Sequence, residues 1–231
     1  TIEAAQVICN NAPASIAALL PDEDAAAFGA HYADCPPSIS LFMLTLGLAK
    51  PPRDFGFTHY STQLLPDWMT SLDDYAQAAT LLRGEPAERM PPLAIVDYAA
   101  IASGVPAPPY VLSILAPDRL ANWEGLDQDG YRARRARWQT ALVAYLDTHY
   151  PGLASAVTSS SFNTAWSVRQ YLGTPHGAVY GFAPSPSNAA ARSPQTPIAG
   201  LYLSSAHAGF GGYTGVIAAA GRCADMILGE K

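Results

Sequence analysis

The stretch GLYLSSAHAGFGGYTGVIAAAGRCADMIL, Gly200 to Leu228, limits what this chain can fold into more than any other. Leu201, Tyr202 and Leu203 read as a short apolar strand, and the glycines at 209, 211, 212 and 215 crowd the turn after it. A helix of small residues is expected to start near Tyr213. Glycine lets a backbone pass close to another group or adopt left-handed dihedrals. The first turn of a helix offers unpaired N–H groups and the positive end of its dipole, a combination that suits an oxyanion or an electron-rich carbonyl. Small-residue turns before helices also serve plain helix-on-strand packing, so GFGGYTG leaves both uses open. The stretch lies at the end of the 231 residues, so a dinucleotide-binding βαβ unit is not expected to follow it.

Upstream, AAQVICNNAP predicts a buried strand over 6–9 that stops at Asn10 and Asn11, with short helical turns after Pro13. SISLFMLTLGL, 38–48, is apolar on both alternating faces, with Ile39, Leu41 and Met43 opposite Phe42, Leu44 and Leu46. That pattern predicts a central strand covered on both sides. LAIVDY and YVLSIL predict two more strands, separated by a Gly- and Pro-bearing segment, and hence an antiparallel middle portion. From Gln128 to Tyr150 the spacing turns helical, with Tyr131, Trp138, Leu142, Tyr145 and Leu146 on one face and Arg132, Arg134, Arg135 and Arg137 on the other. Residues 183–197 are rich in Pro, Ser and Ala and read as a loop leading into the last strand. Phe42, Leu44, Trp68, Tyr110, Leu112 and Tyr180 are candidates for the core or for a pocket.

Hydrophobic residues make up 49% of the chain, enough for a sizeable core. With 13 Lys and Arg against 19 Asp and Glu, there is no electrostatic footprint for nucleic acid. The arginine face of the long helix is either solvated or the place where a peripheral membrane contact would fall. The longest apolar run, Leu41 to Ala49, is far short of the ~20 residues of a membrane span. Cys9, Cys35 and Cys223 are scattered, without a C-x-x-C or a histidine cluster, which predicts buried thiols in a reducing compartment rather than disulfides or a zinc site. The first residues lack a basic region followed by a long apolar core, so a cytoplasmic protein is expected; the absence of an initiator Met leads to the expectation of a processed piece. No G-x-S-x-G elbow and no H-E-x-x-H spacing occurs. Among the histidines, His207 stands out because it lies inside the glycine-rich stretch.

Three segments together carry a family resemblance: GTPHGAVYG at 173–181, TPIAGLYLSSA at 196–206 and GFGGYTG at 209–215. In spacing and residue type they resemble the C-terminal half of the FAD-dependent phytoene desaturase, carotenoid isomerase and retinol saturase family, within the wider amine-oxidase-like flavoprotein group. AAQVICNNAP is similar to the strand by which such chains leave the cofactor domain for the substrate domain. The likeness is strong at both ends and loose between about residues 50 and 125.

The resemblance implies an α/β (α+β) fold: an antiparallel-sheet substrate domain plus returning pieces of a Rossmann-like FAD domain. Residues 1–20 and 190–231 would be the returning pieces, lying side by side, and 21–189 the substrate-binding domain. It implies FAD as cofactor, with Ser205, Ala206, Gly211, Gly212, Tyr213 and Thr214 as binding residues. In that scheme the amides of Gly211, Gly212 and Tyr213 face the flavin N1 and C2 carbonyl edge, and Ser205 lies along the ribityl-pyrophosphate chain. The family's N-terminal G-x-G-x-x-G region, which holds the adenosine, has no counterpart here, so an N-terminal FAD-binding half is the implied partner and the isolated chain is expected to be inactive. Relatives often read AGAW or AGD where this chain has Ser204, Ser205, Ala206 and His207, so side-chain help to the cofactor would come from a hydroxyl rather than a carboxylate. The implied activity is hydride transfer between flavin and an apolar, polyene or isoprenoid-like substrate. A flavin-dependent isomerase shares the same segments, and a non-catalytic partner-binding subunit is the alternative outside enzymology.

Overall fold

A computed structural model describes residues 3–229 of the chain. The strands are β1 (Val7–Cys9), β2 (Ser40–Leu48), β3 (Ser61–Leu64), β4 (Leu93–Asp97), β5 (Tyr110–Asp118), β6 (Val157–Asn163) and β7 (Leu201–Leu203). The helices are α1 (Pro13–Ala17), α2 (Asp22–His31), α3 (Asp74–Ala78), α4 (Gln128–His149), α5 (Leu153–Ala156), α6 (Ala165–Leu172) and α7 (Gly212–Leu228). They form two compact units, named for their place along the sequence: an inner one over Leu41–Ser167 and an outer one made of the flanking stretches Thr1–Ser40 and Val168–Lys231. The unit boundaries fall at 40/41 and 167/168, where the sequence placed breaks at 20/21 and 189/190. The difference arises because Phe28, Tyr32 and Cys35, just after the expected first break, share one apolar cluster with Leu201, Leu203 and Ala219, and Phe182 packs against it.

The inner unit is built on a five-stranded sheet in the order β3-β4-β5-β2-β6. The pairs β3–β4, β4–β5 and β2–β6 are antiparallel, as expected of the middle portion, although β3 and β6 are strands that the sequence pattern did not mark. Successive strand residues face opposite sides. Phe42, Leu44, Leu46 and Leu48 of β2 are completely buried, together with Leu93 and Ile95 of β4 and Leu112 and Ile114 of β5. Trp138, Leu142 and Leu146 of α4 join the same cluster, so this face of the sheet is the core.

The other face corrects the expectation of a strand covered on both sides. Met43 is 38% exposed, Leu41, Val96 and Leu115 are half-buried, and Ile39, ahead of β2, is exposed. Hydrophobicity alone did not distinguish the packed face from the half-open one, because both carry apolar side chains. The candidate residues sort accordingly. Phe42, Leu44 and Leu112 are core, while Tyr110 is half-buried against that core. Trp68 donates its indole N–H to the Met90 carbonyl at 2.8 Å. Tyr180 belongs to the outer unit and is 45% exposed, so it is not a core residue.

α4 starts where Asp127 accepts the Gly130 N–H at 2.8 Å, an N-cap that satisfies one of the helix's free donors. Its arginines are not a uniformly solvated row. Arg134 donates to the Asn122 carbonyl, Arg135 to the Phe162 carbonyl, and Arg137 pairs with the exposed Glu85. Arg132 lies 3.7 Å from Asp129. Near the end of β5, the buried Asp118 accepts from the N–H groups of Arg119 and Ala165, the Asn122 amide and the Trp123 indole, each at 2.8 Å. Burial pushes the Asp118 carboxyl above the ordinary range against the pull of those donors. No helix among the described residues is long and apolar enough to cross a membrane.

In the outer unit β1 and β7 pair in parallel, with Val7 opposite Leu201 and Cys9 opposite Leu203. The two ends of the chain therefore meet in one sheet, as the resemblance implies. β1 is not buried as its composition suggests: Val7 and Ile8 are 47% and 58% exposed. A strand at the edge of a two-stranded sheet has a neighbour on one side only, and the apolar cluster lies behind β7. Cys35 and Cys223 are buried free thiols, whereas Cys9 is half-buried.

Candidate functional site

The predicted strand, turn and helix form as the sequence indicates, with β7 ending at Leu203, the turn running to Gly211 and α7 starting at Gly212. Immediately after β7, Ser205 organises the chain: its hydroxyl accepts the His207 N–H at 3.2 Å and its carbonyl accepts the Ala208 N–H at 3.0 Å. Ser205 is 3% exposed, so its side chain serves first as a turn former.

The glycines divide into two kinds. Gly211 has φ +74°, and a Cβ there would lie 2.1 Å from the Tyr180 carbonyl oxygen. Its missing side chain makes room for the 173–181 segment of this chain. Gly212, φ +65°, faces only the Tyr180 ring, at 3.6 Å, and has no such obstruction. The N–H groups of Gly209, Phe210 and Gly211 donate no hydrogen bond within the described residues. Together with the first-turn amides of α7 they form a row of unpaired donors at the helix start.

Beside this turn lies a cavity of about 330 Å³, bordered by Asn10, Asn11, Thr174, Ser205, Ala206 and His207 among others. That volume is at the low end of the ~300–1,000 Å³ typical of small-molecule sites. Among the described residues, its wall carries no Asp, Glu, Lys or Arg. Two buried polar atoms on the bordering residues, Thr174 Oγ1 and His207 Nδ1, have no hydrogen-bond partner among the described residues. An unsatisfied buried polar atom costs about 1–3 kcal/mol, which a ligand or ordered water with matching groups would offset. His207 is 4% exposed and stands edge-on to Phe182, with ring centroids 4.8 Å apart. Burial pushes its imidazole down to about 4, so the ring is neutral near pH 7.

Of the six residues singled out from the sequence, Ser205 and Ala206 border the cavity. Gly211, Gly212, Tyr213 and Thr214 lie at the turn and the start of α7, where the side chain of Tyr213 is 93% exposed. They therefore offer backbone groups rather than a side-chain pocket. Two residues that sequence reasoning passed over hold the turn. Arg192 donates to the Gly209 carbonyl at 3.0 Å, and Arg222 to the Ala208 carbonyl at 2.8 Å. The available signal was that Arg192 is the sole charged residue between Ala183 and Pro197.

No family model matches the chain, and no curated protein matches it. Solved structures do. An oxidoreductase from Methanosarcina mazei aligns with 100% of this chain at 17% identity and a TM-score of 0.53. Cyclohexylamine oxidase from Brevibacterium oxydans IH-35A aligns with 96% of it at 12% identity and a TM-score of 0.50. At such identities the likeness is one of fold. The chain has the mixed α/β fold of a portion of these enzymes, and it spans 44% and 43% of their lengths.

Proposed function

We propose that this chain is the C-terminal portion of an FAD-dependent oxidoreductase that acts on an apolar substrate. The observation that carries the reading is the outer unit's construction. A parallel strand pair leads into a turn with unpaired amides, next to an uncharged cavity with two unpartnered buried polar atoms. The residues fit the cofactor in kind: an uncharged wall suits a neutral heterocycle, and the orphaned hydroxyl and imidazole suit its carbonyl and imide groups. The fold shared with parts of an oxidoreductase and of cyclohexylamine oxidase supports the same reading.

In this scheme the amides of Gly211, Gly212 and Tyr213, with Thr214 following, meet the electron-rich carbonyl edge of the flavin, and Ser205 and Ala206 border the cofactor through the cavity wall. When bound, FAD supplies the hydride-accepting chemistry. The chain supplies binding, orientation and exclusion of water. An N-terminal half carrying the adenosine site completes the enzyme. Within the inner unit, Leu41, Met43, Val96 and Leu115 on the half-open sheet face offer an apolar surface suited to a polyene or isoprenoid. Hydride transfer at an apolar carbon depends on such a surface more than on titrating side chains.

The test is to purify the chain together with its N-terminal half and record the visible spectrum, then to add an isoprenoid or a conjugated polyene without oxygen. The expected result is the two absorption bands of oxidised flavin, bleached on adding substrate. A complex that folds without flavin would refute the reading, and bound flavin that no apolar substrate reduces would refute the substrate class.

A further inference from the structure

The glycine-rich turn is gripped from two directions. Arg192, from the loop before β7, donates through Nη1 to the Gly209 carbonyl, through Nη2 to the Ser185 carbonyl at 3.2 Å and through Nε to Asn188 Oδ1 at 2.8 Å. Its guanidinium also lies over the Phe210 ring, 5.7 Å from the centroid. Arg222, from the body of α7, reaches back to the Ala208 carbonyl. Gly209 clears the path, since a Cβ there would stand 2.9 Å from the Arg222 guanidinium.

These two bonds fix more than two oxygens. In a trans peptide the C=O and the following N–H share a plane and point in opposite directions. With the Ala208 and Gly209 carbonyls turned toward arginines, the amides of Gly209 and Phe210 must point away from them. Those are two of the donors without a partner among the described residues. Bonds from a charged donor are the stronger class, so the planes are held firmly.

We propose that Arg192 and Arg222 are positioning residues that orient the Gly209 and Phe210 amides as a fixed pair of donors for the cofactor. The inference rests on the reading that the turn receives FAD, but the orientation itself can be tested without the cofactor. Each arginine acts through the turn rather than by touching the ligand. Lysine at 222 can still reach one carbonyl, whereas lysine at 192 puts its donors on a single nitrogen and lacks the planar fork that reaches Gly209, Ser185 and Asn188 together.

The experiment uses the 231-residue chain and the variants Arg192→Gln, Arg192→Lys, Arg222→Gln, Arg222→Lys and the double glutamine variant. In ¹⁵N–¹H spectra of the ligand-free chain, the glutamine changes are expected to move the Gly209 and Phe210 amide signals while the signals of β7 and the C-terminal turns of α7 stay in place. With the N-terminal half present, each glutamine variant is expected to bind FAD ~10-fold more weakly, or ~1.4 kcal/mol. The double variant should be less than additive, because both residues act on one turn. Arg222→Lys should retain most of the affinity, a rescue that loss of general stability would not produce. Unmoved amide signals in the folded variants, or FAD affinity equal to wild type, would overturn the proposal. If the wild-type complex takes up no flavin, the cofactor reading fails and the amide signals alone decide the orientation. If a glutamine variant does not fold, Arg222→Lys against Arg192→Lys decides, and equal behaviour of the two overturns it.

Discussion

Acidification should loosen the outer unit through His207. The imidazole is buried, lacks a partner at Nδ1 and is pushed down to about 4 by desolvation, whereas an unfolded histidine titrates near 6.5. Between those values the unfolded chain binds a proton that the folded chain refuses. Stability therefore stands at its full value above about pH 6.5 and falls as the pH drops toward 4. Each pH unit in that window is worth about 1.4 kcal/mol, so the whole span amounts to roughly 3 kcal/mol.

The clean measurement is a difference between the wild type and His207→Leu or His207→Gln, followed by urea unfolding at pH 7, 6, 5 and 4.5. The four tryptophans, Trp68, Trp123, Trp138 and Trp166, all lie in the inner unit, so tyrosine absorbance and circular dichroism must follow the outer one. The variants lose a constant amount at every pH for the altered packing. The wild type loses additional stability on acidification, so the gap between them should narrow by about 2 kcal/mol by pH 4.5. Asp118 contributes a slope of the opposite sign, because a carboxyl raised by burial is protonated more readily in the folded state. It is common to all variants and cancels in the difference. A gap that stays constant within ~0.5 kcal/mol from pH 7 to 4.5 would refute the argument that His207 is the group resisting protonation.

Thr174→Val replaces the orphaned hydroxyl by a methyl of similar size, so the ligand-free chain should gain about 1 kcal/mol in urea unfolding while FAD uptake by the complex weakens. A loss of stability would instead mean that Oγ1 has a partner. Gly211→Ala should be far more damaging than Gly212→Ala: both carry the left-handed cost of about 1–2 kcal/mol, but only the first drives a Cβ into the Tyr180 carbonyl. Equal melting temperatures would contradict that division. Asp118→Ala strips four donors of their acceptor and should cost about 3–5 kcal/mol, read from tryptophan fluorescence of the inner unit.

The elements with a strong local signature were legible in the sequence. The 3.6-residue spacing of Trp138, Leu142 and Leu146 gave α4, the long apolar run gave β2, and two β-rich runs broken by Gly and Pro gave β4 and β5 as an antiparallel pair. The meeting of β1 with β7 came from family resemblance, since no periodicity reports a contact between residues 7 and 201. What failed was burial. The run from Ser40 to Leu48 is apolar on both faces, yet only the face carrying Phe42 packs against α4. Val7 and Ile8 look like core residues by type and stand exposed. Hydrophobicity ranks a residue's preference, and a neighbouring element must exist to satisfy it.

The candidate site was half legible for a related reason. Glycine is visible in a sequence, but the reason for it is not. Gly211 makes room for the Tyr180 carbonyl, Gly209 for the Arg222 guanidinium, and Gly212 leaves its outward side free. The same letter thus marks internal packing twice and open approach once within four positions. Arg192 and Arg222 stand 30 positions apart and converge on adjacent carbonyls, a relation set by the path of β7 and the turn. The chemistry of this turn depends on which way its peptide planes face. Glycine permits many orientations of those planes, and the two arginines select one. A search confined to glycine motifs therefore finds the flexible part of the device and overlooks the side chains that make it rigid.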